Sequence, residues 1–410
     1  MFDLTQITAS EQGRRAAIAG SLAADADALL ALNRAIHGYA EISFQEHRSA
    51  QEITDYLAAR GFTVEHGAGG LETAFVATAG SGEFTVGFCI EYDALPEIGH
   101  GCGHNVITGA SVGAAVALAS VADELGITVQ AIGTPAEEHG GGKQLMLDAG
   151  VFDGVDMALM THAGPEIPTM NVIGADSNSV VRVRATFTGR GAHAAAAPDR
   201  GINALDAVVV SQVAVGLLRQ QIPSTNRVAV IVREGGYETN IIPERAVADF
   251  EVRATTLAEH HALFARVKAC FEAGALATGC TVEFADIEPL YEPLTQNEVI
   301  GRHWNEAMGS FGYDVALNPP RLAGSTDMGN VSNRIPSIHP LAGITGVTCA
   351  LHTADFAAAA ITDAADQVMF QSALAMAWAA EAVASNDEER TQIRADKEAL
   401  RMALAQASAD

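Results

Sequence analysis

Phe84-Thr-Val-Gly-Phe-Cys-Ile90, the segment Gly99-His-Gly-Cys-Gly-His-Asn105 and the apolar run over residues 107–125 follow one another and set the architecture of this chain. The first reads as a buried strand and the last as a helix, with a glycine-rich loop between them. Residues 127–132 and 155–160 repeat the strand signal. Short apolar strands alternating with Ala-rich helices predict an α/β layer around a largely parallel sheet. Upstream, residues 10–60 read as two helices, with apolar positions at helical spacing over 23–36 and 49–57 and a stop at Gly61.

Residues 178–290 follow a different order. Residues 180–188 read as a strand, 204–221 as a helix, 227–233 and 245–255 as two strands, 257–277 as a helix and 280–286 as a strand. That is β-α-β-β-α-β, the ferredoxin-like arrangement. Signals of the first type resume near residue 295, so the second domain is expected to be inserted into the first. The expected division is 1–177 with 291–385 for one discontinuous domain, 178–290 for the insertion, and 386–410 for a charged, solvent-facing C-terminal helix. A four-stranded sheet of this kind leaves an edge strand free, a place where a copy of the chain can pair.

At 410 residues the chain can bury a sizeable core, and 49% hydrophobic with 18% charged residues is ordinary for a globular enzyme. The formal net charge of −26 repels polyphosphate backbones and anionic membrane surfaces, so neither nucleic acid nor membrane is expected as a partner. The opening residues Met1-Phe-Asp-Leu-Thr-Gln carry no basic and apolar leader pattern, and no apolar run reaches the roughly 18 residues of a membrane span. Five scattered cysteines suit a reducing compartment better than a disulfide framework, which makes the cytoplasm the expected location.

Metal-donor residues recur at one kind of place. Glu91-Tyr-Asp93 follows the strand ending at Ile90, and Cys102 and His104 stand in the loop after it. Glu137-Glu138 follows the second strand across Gly133-Thr-Pro-Ala136, His162 follows the third directly, and His352 precedes an Ala-rich helix. Ligands of open α/β sheets bind beyond the carboxyl ends of the strands. Singly, each residue has a plain alternative: a buried thiol, a structural histidine, an acidic pair at a helix start, a turn cap at Asp93. Jointly, a thiolate, imidazoles and carboxylates delivered to one edge predict a divalent metal site.

At these residues the chain resembles the two-metal aminoacylase/carboxypeptidase family of amidohydrolases, peptidase family M20, in the branch of p-aminobenzoyl-glutamate hydrolases and related dipeptidases. The segments that carry the resemblance are His37-Gly-Tyr-Ala-Glu-Ile-Ser-Phe44, Glu91-Tyr-Asp-Ala-Leu-Pro96, residues 99–105 and Gly133-Thr-Pro-Ala-Glu-Glu138. Further along come Gly189-Arg-Gly-Ala-His-Ala194, Gly201-Ile-Asn-Ala-Leu-Asp206, Asn240-Ile-Ile-Pro243, Gly324-Ser-Thr-Asp-Met-Gly-Asn330 and Leu351-His-Thr353. The resemblance implies a catalytic α/β domain interrupted by a ferredoxin-like lid, and a homodimer formed through that lid. It also implies two divalent ions, Zn²⁺ or Mn²⁺, held by Cys102, His104, Glu138, His162 and His352, with Glu137 as general base. Many relatives place a His where Glu91 stands and bridge their ions with an Asp; here a cysteine-containing set takes over.

On that basis the expected reaction is hydrolysis of the amide bond of an N-acyl amino acid, an aryl-amide of glutamate or a dipeptide by a metal-activated water. His193 in the lid is the expected electrophilic donor to the oxyanion. The substrate is expected to carry a free carboxylate, with Arg253 as its partner, Asn240 bonding the same end or the carbonyl oxygen, and Ser325, Thr326 and Asp327 lining the pocket. Asp93 is expected to stand behind a ligand rather than bind metal. Two other readings stay open at this point: a catalytically weak ligand-binding protein on the same scaffold, and a desuccinylase-like variant.

Overall fold

The computed structural model describes residue 7, residues 11–319 and residues 324–407; residues 1–6 and the last positions of the charged C-terminal segment lie outside them. The described chain forms two compact units. One comprises the N-terminal part up to Asp176, the segment resuming at Leu294, and the segment from Asp327 onward. The other comprises Ser177–Pro293 together with residues 324–326.

The first unit is built on a six-stranded sheet in the order Thr63–His66, Phe75–Gly80, Ile127–Gly133, Phe84–Ile90, Met157–Leu159, Ser337–Ile338. The first two joins are antiparallel and the remaining three parallel. The predicted parallel sheet is present, and the antiparallel edge pair is an element that the sequence reading did not anticipate. Along Phe84–Ile90, Val86, Phe88 and Ile90 enter one apolar cluster while Cys89 enters another. Both faces of the sheet are therefore covered, which explains why its strands read as continuous apolar runs.

Helix His104–Ala119, the centre of the larger cluster, is buried almost all round, as is much of Asp363–Ala384. Gly109 lets the two approach, since a Cβ there would collide with the Met369 sulfur. The run read as a single helix over 107–125 is broken at Ser120 and Val121, with Ala122–Leu125 as a separate turn. Likewise the described residues 11–60 hold three helices, Gly13–Ala24, Ala26–Tyr39 and His47–Ala58, where two were expected. Asp387–Ala407 is the helical C-terminal segment. No single described helix is long and apolar enough to cross a membrane.

The second unit is the β-α-β-β-α-β arrangement read from the sequence. Its sheet runs Thr281–Asp286, Ser179–Thr188, Arg245–Ala254, Arg227–Glu234, antiparallel throughout. Alternate residues Val181, Val183, Ala185 and Phe187 meet Ala248, Phe250 and Val252 in a core completed by helices Ala204–Leu218 and Leu257–Thr278. Both helices are capped by side chains, Asn203 on the Leu205 amide and Thr256 on the Glu259 amide. Arg227–Glu234 lies at one edge of the sheet.

Candidate metal centre

Parallel pairing levels the strand ends that carry the donors. Phe84–Ile90 runs beside Ile127–Gly133 with Ile90 opposite Gly133, and Thr134 ties the two by donating its amide and hydroxyl to the Ile90 carbonyl. Glu91 and Asp93 thus leave the sheet beside the loop bearing Glu137 and Glu138. Ala136, just before that pair, holds φ at +62°, a left-handed conformation that costs a non-glycine residue about 1–2 kcal/mol. His352 has the same conformation, φ +64°, and its amide is fastened to the Gly101 carbonyl at 2.8 Å. Two strained positions beside donor side chains mark a place where the fold over-determines the backbone.

His104 opens its helix behind Gly103, whose φ of +76° suits glycine, and the ring is fully buried. Its Nδ1 lies 2.9 Å from Asp93 Oδ1, and Asp93 Oδ2 accepts from the Ser43 hydroxyl and the Glu138 amide. His162 Nδ1 likewise lies 2.6 Å from the Ala163 carbonyl. With Nδ1 engaged on both rings, the Nε2 atoms of His104 and His162 are turned towards the other donors, where a cation can replace a proton. Cys102 Sγ stands 3.4 Å from His162 Nε2 and 3.4 Å from His352 Nε2. Glu138 Oε1 stands 3.5 Å from His352 Nε2 and 4.0 Å from His104 Nε2.

Three donor sets could each hold an ion, the atoms within each set lying within 4.8 Å of one another: Cys102 with His104 and His162; Cys102 with Glu138 and His352; and Glu91 with His104 and Glu137. All five residues expected to hold metal are therefore brought together, and Cys102 belongs to two of the sets. Among the described residues, His104 Nε2, Glu138 Oε1 and Glu91 Oε2 are buried atoms with no hydrogen-bond partner. Orphaned buried acceptors are rare in folded proteins, and lone pairs pointed at a common space fit a cation.

The electrostatics agree. Burial opposes the Asp93 charge, but His104 and the three hydrogen bonds outweigh it and hold the carboxyl down at about 2. Burial also opposes charge on His104, and Asp93 reverses this, raising the imidazole well above its ordinary range. Burial, then Glu91 and Glu138, raises the Glu137 carboxyl well above the usual value, a shift of the kind that makes a carboxylate a better proton acceptor. Burial and Glu138 lift the Cys102 thiol; a bound divalent ion is what makes such a thiol a thiolate.

Two buried residues at this edge were not singled out from the sequence. Lys143 is fully enclosed, with Nζ 2.6 Å from Glu91 Oε1 and 2.6 Å from Asp327 Oδ1. His339 follows the strand Ser337–Ile338, which runs parallel to Met157–Leu159, and its ring meets that of His162 edge-on at 5.7 Å. The signal for His339 was its place after a short apolar stretch. Lys143 gave none, since a lysine after three glycines reads as a surface charge. Asp327, expected in a substrate pocket, instead offers Oδ2 to the Lys143 amide and Oδ1 to its ammonium. His100, which flanks the donors, has its Nε2 3.0 Å from the Ile36 carbonyl.

In the second unit, His193 and Asn240 meet at one corner. Ala192–His193 pairs with Ile241–Ile242, and the Ala194 amide donates to the Asn240 carbonyl at 2.9 Å. His193 Nδ1 accepts from the amides of Ala195 and Ala196, which leaves the proton on Nε2. Arg253 bonds Glu251 through Nε at 2.6 Å and the Ser325 hydroxyl through Nη1 at 3.1 Å. Thr326 is buried in the same unit.

An α/β unit that gathers thiol, imidazole and carboxylate donors at one sheet edge, with a ferredoxin-like unit set into its sequence, fits the class of metal-dependent hydrolases. Within that class the chain belongs to peptidase family M20/M25/M40, whose pattern matches residues 88–374. It is 37% identical to the Xaa-Arg dipeptidase of Mus musculus over 376 residues, covering 87% of this chain and 85% of the relative. It is 33% identical to one of the p-aminobenzoyl-glutamate hydrolase subunits of Escherichia coli, over 60% of this chain and 55% of that one. Among solved structures, a dinuclear metal-binding M20 peptidase of Bacillus subtilis superposes with a TM-score of 0.62 at 22% identity, covering 86% of this chain and 98% of that one. That likeness speaks for the fold.

Proposed function

We propose that the chain is a metal-dependent amidohydrolase that cleaves a dipeptide or a related N-acyl amino acid or aryl-amide of glutamate, with two divalent ions held by Cys102, His104, Glu138, His162 and His352. The observation that carries this reading is the sharing of Cys102 between two donor sets, with Glu137 standing next to the donor Glu138. A dipeptide comes first because the relatives alike over most of both chains are named Xaa-Arg dipeptidase. Zn²⁺ suits the thiolate and imidazoles, and Mn²⁺ the carboxylates.

Bound ions would supply Lewis acidity, lowering the pKa of water and polarising the scissile carbonyl. The chain's own residues do the rest. Glu137, its carboxyl made more basic by burial and by its acidic neighbours, takes the proton from the attacking water and passes it to the leaving amine. Asp93 fixes the His104 ring so that Nε2 faces the donors. His193, with its proton on Nε2, is assigned the hydrogen bond to the developing oxyanion. Arg253 and Asn240 are assigned to the substrate carboxylate, Arg253 sharing its guanidinium with Glu251 and Ser325.

The Ser177–Pro293 unit is assigned as lid and dimerisation domain. Its helix Ala204–Leu218 exposes a stripe of Val209, Val213 and Leu217, the last 70% exposed, a face that a second copy would cover. The test of the central reading is hydrolysis of dipeptides and N-acyl amino acids by the purified chain. Chelation should abolish it, Zn²⁺ or Mn²⁺ should restore it, and Glu137→Gln should lower it by about 10²–10⁴-fold while metal stays bound. A metal-loaded chain that hydrolyses no member of a broad amide panel would overturn it in favour of a binding protein.

A further inference from the structure

The Glu91–Lys143–Asp327 group leaves a charge uncompensated. Lys143, Glu91 and Asp327 are all without solvent exposure. One ammonium faces two carboxylates at 2.6 Å each, so the trio carries a net negative charge in the dry interior, where an unbalanced ion is severely destabilising. Both oxygens of Asp327 are engaged, the second accepting the Lys143 amide at 3.0 Å. Glu91 differs, because only one of its oxygens has a hydrogen-bond partner. Oε1 takes the ammonium; Oε2 is buried and has no hydrogen-bond partner among the described residues.

That oxygen is aimed. It stands 3.5 Å from His104 Nε2, itself a buried atom without a partner. Between these two atoms a positive charge belongs: a proton on Nε2 in the metal-free chain, or a metal ion in its place. The grip on Glu91 is also built into the backbone. Lys143 lies in the first turn of helix Gly142–Asp148, and a Cβ on Gly142 would collide with the Pro135 carbonyl. Only glycine lets this helix press against the loop that carries Glu137 and Glu138.

We propose that Glu91 is a further metal donor, ligating through Oε2 the ion that His104 Nε2 binds, and that Lys143 and Asp327 are its positioning residues. The proposal rests on the two-ion reading above and adds a further protein donor to one of its positions. It also accounts for the enclosed lysine, which by occupying Oε1 leaves Glu91 a single free oxygen, directed at His104. With glutamate at this place the chain would hold that ion through an anionic donor, and the cation would offset the negative charge of the trio.

The test is Zn²⁺ binding to the metal-stripped full chain, measured by competition with a chromophoric chelator. Wild type is expected to take up two ions. Glu91→Gln keeps the oxygen that Lys143 needs and removes the anionic donor; it is expected to weaken one of the two ions by about 10–100-fold or more and leave the other unchanged. Equal affinities for both ions in wild type and Glu91→Gln would overturn the proposal while leaving the two-ion reading intact. Wild type that binds no Zn²⁺ would overturn both. Should Glu91→Gln not fold, the anomalous scattering of zinc-loaded wild-type crystals decides. A zinc at about 2.0–2.2 Å from Glu91 Oε2 upholds the assignment, and both zinc ions outside bonding distance of Glu91 overturn it.

Discussion

In the second unit Phe187, Phe250 and Phe271 stack in an apolar core, and the buried acid Asp249 is met from both sides by Arg184 and Arg233 at 2.8 Å. In the first unit Glu91, Asp93, His104, Lys143 and Asp327 are shut away at a sheet edge, and two of their polar atoms, Glu91 Oε2 and His104 Nε2, have no hydrogen-bond partner among the described residues. Both units have ample apolar cores, so the difference is not one of packing. It lies in what is left unsatisfied. Local rules of charge and hydrogen bonding are obeyed around Asp249 and broken at the donor edge of the first unit. The first unit is accordingly the one whose stability should depend on what it binds.

Substitutions can sharpen or break that contrast. The largest effect is expected from Lys143→Met, which strands two buried carboxylates and should destabilise the metal-free chain by about 3–5 kcal/mol in denaturant unfolding. Next comes metal itself. Zn²⁺ at a hundredfold excess over its dissociation constant should stabilise the first unit by about 2.7 kcal/mol, seen as a raised melting transition that chelator reverses. The transition of the second unit should not move.

A pH effect of about 2 kcal/mol is expected in the second unit. Burial, then His261, lowers His260 to about 4 from an ordinary 6.5, and its Nδ1 lies 2.8 Å from the Ser179 hydroxyl. The folded state prefers the neutral ring, so the full contribution is present above pH 6.5. It is lost as pH falls from there towards 4, because the unfolded chain takes up the proton first. His260→Gln should remove this part of the acid destabilisation; an unchanged pH profile of unfolding would refute it. The smallest effect is expected from Arg233→Ala. Arg184 still covers Asp249, and an exposed pair contributes at most about 1 kcal/mol. A loss as large as that of Lys143→Met would erase the contrast between the units.

Much of this contrast was legible in the sequence because it follows from periodicity. The alternation in residues 245–255 and the helical runs on either side of it gave the ferredoxin-like order directly, and strand ends located the donors. The antiparallel edge was missed although its turn is visible: Gly67, Gly69 and Gly70 stand between Thr63–His66 and Phe75–Gly80, two short runs that pair across it. The Lys143 group was illegible for a different reason. Its partners lie 52 and 184 residues away, so nothing local distinguishes this lysine from a solvated one. The donor residues could be found singly, but not which atoms would be left without partners, since that depends on Nδ1 hydrogen bonds such as His104 to Asp93.

The shared thiol is the point on which the whole reading turns, and counting metal in a cysteine variant tests it most directly. Metal-stripped wild type and Cys102→Ala, reloaded with Zn²⁺, desalted and analysed for zinc per chain, should give two ions for the wild type. The variant should hold at most one, because the residue serves both donor sets. Two ions retained at wild-type affinity in Cys102→Ala would contradict the account.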